Sequence, residues 1–100
     1  MEQELFALLA HAMAEDASGY RKGARHAMIF IACAADLDEA EGIASAMAEE
    51  SGWAWIEFRK GAKVDPREEK MRGTLADAIA NAEQTGKSMI VYSDEIPLDS

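Results

Sequence analysis

Cys33 is the only cysteine of the chain and therefore its only candidate thiol nucleophile. It lies near the end of residues 28–34, an apolar run without polar interruption, which is typical of a strand buried on both faces. A thiolate at such a position can be stabilised by the N-terminus of a following helix. Here, however, the next segment begins with Asp36, Asp38 and Glu39, whose charges oppose a thiolate. We therefore expect Cys33 to be a small, unreactive core residue.

A ligand site made of Cys33, Arg59 and Asp94 is the alternative hypothesis. All three lie at or after the ends of predicted strands, and in an open parallel sheet ligands bind outside the carboxyl ends of the strands. Such a site would make the chain a small-ligand-binding or enzymatic domain. No motif names an activity, since there is no Cys-x-x-Cys pair and no Gly-x-Gly-x-x-Gly loop. The sequence therefore favours a protein without enzymatic activity.

Metal and cofactor sites are not predicted. Asp36 and Asp65 each precede a predicted helix, and N-capping explains both acids. His11 and His26 lie far apart in the sequence, and neither belongs to a cluster with the spacing of metal ligands. Residues 86–88, Gly-Lys-Ser, resemble the end of a phosphate-binding loop, but they follow a helix and precede a strand. Phosphate binding requires the reverse order, so we expect no cofactor and no metal.

Trp53 and Trp55 are the strongest candidates for a binding surface. Both belong to residues 53–58, an aromatic-rich segment that predicts a strand, and alternation along a strand places both indoles on one face. Charged residues follow the segment, so we expect it at an edge of the sheet. Met47, on the preceding predicted helix, is an adaptable apolar neighbour. These three residues form the predicted interaction surface, and burial of the indoles under a helix of the same chain is the alternative.

The composition favours a soluble protein that associates with a second copy. Ten basic and nineteen acidic residues give a formal charge of −9, which repels nucleic acid and anionic membrane surfaces. The single cysteine allows no intramolecular disulfide, and no apolar run reaches the length of a membrane span, so we expect a cytoplasmic location. Twenty alanines leave little bulk for a core. A homodimer, or a complex with another protein, is therefore expected.

Hydrophobic periodicity predicts three helices that alternate with three strands. The predicted elements are a helix over 2–17, a strand over 28–34, a helix between Asp36 and Ser51, a strand over 53–58, a helix from Pro66 to Thr85, a strand over 88–92 and a loose polar tail over 94–100. Asp36 and Glu39 match a capping box for the second helix. Asp65 and Pro66 mark the start of the third helix, which Gly73 interrupts.

This order predicts a single α/β domain over residues 1–100. Alternating helices and strands favour parallel strands joined by right-handed crossovers, with helices packed on the sheet. The most apolar strand, residues 28–34, is expected at the centre. The prediction is a three-stranded, mainly parallel sheet of order 2-1-3 with helices on both faces. The alternative is a ferredoxin-like α+β split arrangement, in which one strand is antiparallel.

The charge also predicts no binding of duplex DNA at physiological salt. Arg21, Lys22 and Arg25 form the most basic stretch of the chain, and they offer too few phosphate contacts to offset the acidic excess. A mobility-shift assay at micromolar protein should leave the duplex unshifted. A salt-sensitive shift that disappears when these three bases are replaced by alanine would show that the prediction is wrong.

Overall fold

A computed structural model describes residues 4–64 and 74–96, which form a four-stranded antiparallel sheet and two α-helices. The elements are β1 (Glu4–Ala14), a short 3-10 turn (Asp16–Ser18), β2 (Arg25–Ala34), α1 (Leu37–Glu50), β3 (Trp53–Val64), α2 (Thr74–Thr85) and β4 (Lys87–Glu95). The strands lie in the order β3-β1-β2-β4, and each neighbouring pair is antiparallel. Within these ranges, neither helix is long and apolar enough to cross a membrane.

The predicted three-stranded, mainly parallel sheet of order 2-1-3 is wrong. The described chain begins with two paired strands, β1 and β2, and the sheet is antiparallel, so the domain is α+β. β2 and β3 are both antiparallel to β1, which lies between them, and α1 connects them across it. Because two strands precede the first helix, the element order also differs from the ferredoxin-like alternative.

The predicted first helix over residues 2–17 is wrong, because β1 occupies most of that segment. β1 lies between two other strands and has apolar side chains on both faces. Phe6 and Leu8 belong to the core on one face, whereas Leu5 belongs to the core on the other. A strand that is apolar on both faces and rich in Ala, Leu and Met has the composition of a sequence with high helix propensity. Pairing with both neighbouring strands overrides that helix propensity.

The first core lies between α1 and one face of the sheet. Its sheet side consists of alternate residues of β1 and β2, and its helix side presents one alanine per turn. The fully buried alanines are Ala10, Ala12, Ala14, Ala32 and Ala34 on the sheet and Ala40, Ala44 and Ala48 on α1. The larger buried side chains are Phe6, Leu8, Met28, Phe30 and Trp53. Methyl groups on both sides let the helix approach the sheet closely, which keeps the interior well packed despite its small side chains.

The second core lies on the opposite face, under α2. It consists of Leu5, Ile31, Val64, Ala78, Ile79 and Ala82, with Cys33 among the partly buried neighbours. Hydrogen bonds fix α2 and the following Gly86 to the sheet: the Ser88 hydroxyl donates to the Ala78 carbonyl at 2.5 Å, and the Cys33 N–H donates to the Gly86 carbonyl at 2.8 Å. α2 therefore covers the end of this face that contains Leu5 and Cys33.

The start and the end of α1 are confirmed as predicted. The Asp36 carboxylate accepts a hydrogen bond from the Glu39 N–H at 2.8 Å, as expected for an N-cap residue. The Glu39 carboxylate accepts one from the Ala35 N–H at 3.2 Å. The helix ends before Ser51 and Gly52. Signals that act within one turn of helix were therefore sufficient to place this element.

The three predicted strands are also confirmed as strands, although each is longer in the structure. Residues 28–34, 53–58 and 88–92 lie within β2, β3 and β4 respectively. β3 lies at an edge of the sheet, as predicted. α2 ends at Thr85, also as predicted. The predicted helix start at Asp65 and Pro66, the interruption at Gly73, and residues 97–100 of the predicted tail lie outside the described residues.

Gly52 joins α1 to β3 and packs against the turn that follows β1. Its φ is +90°, in the left-handed region, and its carbonyl accepts a hydrogen bond from the Glu15 N–H at 2.9 Å. A Cβ at this position would lie 2.6 Å from the carbonyl carbon of Ala17. Only glycine fits here without displacing one of the two turns.

We expect Gly52→Ala to lower the free energy of unfolding by about 2 kcal/mol or more, because it combines left-handed strain with a backbone clash. Gly42→Ala is the matched control. Gly42 lies inside α1, and a Cβ there meets no neighbouring element within 4 Å. The control should raise stability by about 1 kcal/mol through helix propensity. Chemical denaturation measures both differences, and native stability in Gly52→Ala would contradict the close contact.

Candidate functional site

The sheet face beneath α2 extends beyond the second core, and no other helix of the described ranges covers that extension. We call this part the open face. It comprises Leu9, His11 and Met13 on β1, Arg25, Ala27 and Ile29 on β2, and Trp55, Glu57 and Lys60 on β3. Strand register brings these residues together, because Leu9 pairs with both Ile29 and Lys60 and directly paired side chains share a face.

Trp55 is the most prominent residue of the open face, with 79% of its surface exposed. It lies in a bulge of β3, where Trp55 and Ile56 together stand opposite the single residue Ala12. Its φ of +51° is left-handed, which costs roughly 1–2 kcal/mol for a residue other than glycine. Glycine is the usual residue at the left-handed position of one common class of bulge. A large exposed indole held at an energetic cost points to function rather than to stability.

Two grooves lie along the open face, one toward each end, and the second extends past Leu9 and Lys60 toward the second core. The first groove, of about 450 Å³, is lined by Met13, Arg25, Trp55, Ile56 and Glu57. The second groove, of about 190 Å³, is lined by Ala7, Leu8, Leu9, Ile29, Lys60 and Ala62. Both are shallow and apolar with charged side chains at the rim. Such grooves suit the side chains of a protein partner better than they suit an enclosed small molecule.

Glu57 lies between two arginines at the centre of the open face. Its carboxylate accepts hydrogen bonds from Arg59 at 2.6 Å and from Arg25 at 3.4 Å. The hydrogen bond from Arg59, together with the charge of that guanidinium, holds the pKa of the Glu57 carboxyl below its usual value. The group is therefore ionised at neutral pH. With Lys60 included, bases outnumber acids here, although the whole chain has a charge of −9.

Trp53 and Met47 do not belong to the open face. Trp53 is 3% exposed, and its ring centroid lies 5.5 Å from that of Tyr20 and 5.4 Å from that of His26. Met47 packs against the same first core. The expectation that both indoles share one face is therefore wrong, because the bulge at Trp55 breaks the alternation of β3. Of the predicted interaction surface, Trp55 alone lies on the open face.

His26 is a buried polar side chain next to this aromatic cluster. It is 1% exposed, and its Nδ1 lies 2.7 Å from the Tyr92 carbonyl oxygen. A carbonyl can only accept, so Nδ1 carries the proton and donates it. Nε2 has no hydrogen-bond partner among the described residues, and the ring packs against Tyr20 at a centroid distance of 4.6 Å. His26 thus connects β2 to β4, which is a structural role.

Cys33 lies under α2, away from the open face. Its thiol donates to the Ala82 carbonyl at 3.5 Å. Burial raises the pKa of the Cys33 thiol, and the charge of Glu83 raises it further. Both effects favour the neutral thiol, which is a poor nucleophile.

The structure does not bring Cys33, Arg59 and Asp94 together. Asp94 is next to Glu95, which pairs with His26 near the start of β2, whereas Cys33 is near the end of that strand. Seven residues of extended chain from 26 to 33 span roughly 23 Å. Arg59 lies on β3 and binds Glu57. Because the sheet is antiparallel, its strands have no common carboxyl edge at which these three residues could meet.

In the described ranges, no group of three or more His, Cys, Asp or Glu residues is placed to hold a metal ion.

Apart from Trp55, sequence reasoning did not assign the members of the open face to an interaction surface, and Leu9, Arg25, Glu57 and Lys60 are the most important of those it missed. The signal that could have found them is the alternation of β1, in which residues 9, 11 and 13 share one face. Interpreting residues 2–17 as a helix removed that signal. Which residues of β3 lie on the open face also depends on two register shifts between β3 and β1, and the local sequence does not predict these shifts.

Comparison of the chain with protein-family models, with curated proteins and with solved structures finds no match. The function is therefore inferred from the geometry of the open face. Its exposed indole, its two grooves and its local excess of bases are the features that a proposal must explain.

We expect Cys33 to react slowly with iodoacetamide in the native protein at neutral pH. The raised pKa lowers its thiolate fraction, and α2 restricts access to the sulfur. The native rate, measured by mass spectrometry, should be at least about tenfold below the rate in the urea-unfolded chain. A native rate equal to the unfolded rate, or above it, would indicate an activated thiol and would favour an enzymatic site at Cys33.

Proposed function

We propose that this protein is an interaction module that self-associates as a homodimer through the open face. The observation that carries the proposal is Trp55, whose indole is 79% exposed and whose backbone is held in a left-handed conformation. Tryptophan is among the residues that contribute most to binding at protein interfaces. An indole in this position stabilises the monomer little, and a partner would remove it from water.

The size of the open face supports a weak, reversible dimer. Two indoles of about 150–250 Å² each, at about 25 cal/mol per Å², offer roughly 8–12 kcal/mol when buried. Association itself costs about 4–15 kcal/mol. Leu9, which is 36% exposed, adds further apolar area near the middle of the face. Because the gain and the cost are of similar size, we expect a weak dimer that dissociates on dilution.

Charge favours the open face over the α1 surface as the contact between two copies. α1 carries five acids, Asp38, Glu39, Glu41, Glu49 and Glu50, and no base. Two such surfaces would repel each other. The open face carries both signs of charge, with Arg25 and Lys60 beside Glu57, so opposite charges can face each other when two copies meet there.

A cytoplasmic location is part of the proposal. The one cysteine is a free thiol, which is typical of a reducing compartment. The acidic excess makes nucleic acid and anionic membranes poor partners. The partner we propose is therefore protein, and in the first instance a second copy of the chain.

Trp55→Gly separates the proposed function of this residue from its effect on folding. Glycine relieves the left-handed strain, so the variant should unfold at the same denaturant concentration as the native chain or at a higher one, with a gain of up to about 1 kcal/mol. It should also lose the dimer. Sedimentation velocity over about 1–200 μM, a range in which a weak dimer forms and dissociates, measures the mass.

Lys63→Ala is the matched control for that experiment, because Lys63 is an exposed residue of the same strand that pairs with Phe6 and therefore lies on the opposite face of the sheet. This variant should remain dimeric. A monomeric native chain at the highest concentration, or an unchanged dimer in Trp55→Gly, would contradict the proposed function.

A further inference from the structure

The geometry points to reciprocal docking, in which Trp55 of each copy occupies the second groove of its partner. This inference rests on the proposed self-association and assigns its contacts. A twofold axis would relate the open faces of the two copies. This axis lies between the two sheets, runs across the strands at a right angle to them, and passes at the level of Ala10. In such an isologous interface every contact occurs twice.

The spacing of the open face fits that axis. Trp55 stands opposite Ala12, in the bulge before Met13, and the second groove is centred on Leu8, between Ala7 and Leu9. The two features therefore lie at similar distances on either side of Ala10, roughly 7–8 Å along β1. A rotation of 180° about the proposed axis brings the level of Ala12 in one copy opposite the level of Leu8 in the other. Because the axis runs across the strands, β3 of one copy then lies over β3 of the other, and β1 lies over β1. The indole of one copy is thereby placed over the second groove of the other.

The charges on β3 are complementary under the same rotation. Glu57 pairs with His11 and Lys60 pairs with Leu9, so they lie one residue to either side of Ala10. The rotation places Glu57 of each copy opposite the partner's Lys60. Opposite charges thus face each other twice across the interface, which favours this register over a shifted one.

The second groove has the composition expected of an indole site. Ala7 and Ala62 are small residues that leave a cavity of about 190 Å³, and Leu9 and Ile29 provide apolar walls. Lys60 lines the same groove, where its ammonium group can lie over an aromatic ring.

Edge-to-edge pairing of two β3 strands is the rival arrangement, and the strand itself disfavours it. β3 has two register shifts, and its outer half carries Arg59, Lys60 and Lys63. Bulges and lysines are the features by which edge strands avoid pairing with other edges. These features do not prevent two copies from making contact through their open faces.

A mixing experiment tests the reciprocal contact directly. Trp55→Ala removes the indole and keeps the second groove, whereas Ala62→Gln fills the groove and keeps the indole. Each variant alone should dimerise at least about tenfold more weakly than the native chain, because its homodimer has no intact contact. A one-to-one mixture should form a heterodimer that retains one contact and is several-fold tighter than either homodimer. Sedimentation velocity with one variant fluorescently labelled measures that species.

Two further variants complete the design. Lys63→Gln introduces the same side chain on the other face of β3 and should leave native dimerisation unchanged. Lys60→Glu is a second groove variant at an exposed site, for use if Ala62→Gln fails to fold by circular dichroism, and it should behave in the same way in the mixture with Trp55→Ala.

The outcomes distinguish this inference from the proposed function. A native dimer whose two variants gain nothing on mixing would overturn the reciprocal contact and leave self-association standing. The same conclusion would follow if Trp55→Ala weakened the dimer and both groove variants did not. A native chain that is monomeric at all concentrations would overturn both.

Discussion

The contact between α1 and the sheet, made largely by alanine side chains, is the constraint on which the rest of the structure depends. Three alanines on α1 and five on β1 and β2 are fully buried there. Methyl groups allow the helix to approach the backbone of the sheet, and the larger buried side chains, such as Phe30 and Trp53, fill the space around them. A core built in this way is dense but small. It occupies one face of the sheet, and α2 packs on the other.

The function that we propose follows from the way in which the two helices cover the two faces of the sheet. α2 covers the end of the second face near Leu5 and Cys33, and the described chain provides no other helix for the rest. The open face therefore exposes Leu9 and holds Trp55 in a conformation that a bulky residue rarely adopts. Cys33 lies beneath α2 with a raised pKa, so the same arrangement that exposes the indole protects the thiol.

Much of the fold was predictable where the signal is local, and little where it depends on distant residues. Asp36 specifies the start of α1 through a hydrogen bond three residues away, and the sequence alone located it. Residues 4–14 have the composition of a helix and become β1 only through pairing with β2 and β3. The sequence identifies Trp55 as a candidate but does not distinguish it from Trp53, because the bulge at Trp55 and Ile56 arises from the register with β1. The unreactive thiol was predicted from nearby acids, whereas burial is the larger cause.

Tryptophan fluorescence as a function of protein concentration tests most directly whether Trp55 is the surface that association buries. Trp53 is 3% exposed in the monomer, so its emission reports a constant, buried indole. We predict that acrylamide quenching decreases and the emission maximum moves to shorter wavelength as the dimer forms, because Trp55 leaves water. Emission and quenching that stay constant while the particle mass doubles would show that the copies associate elsewhere, and would contradict the account.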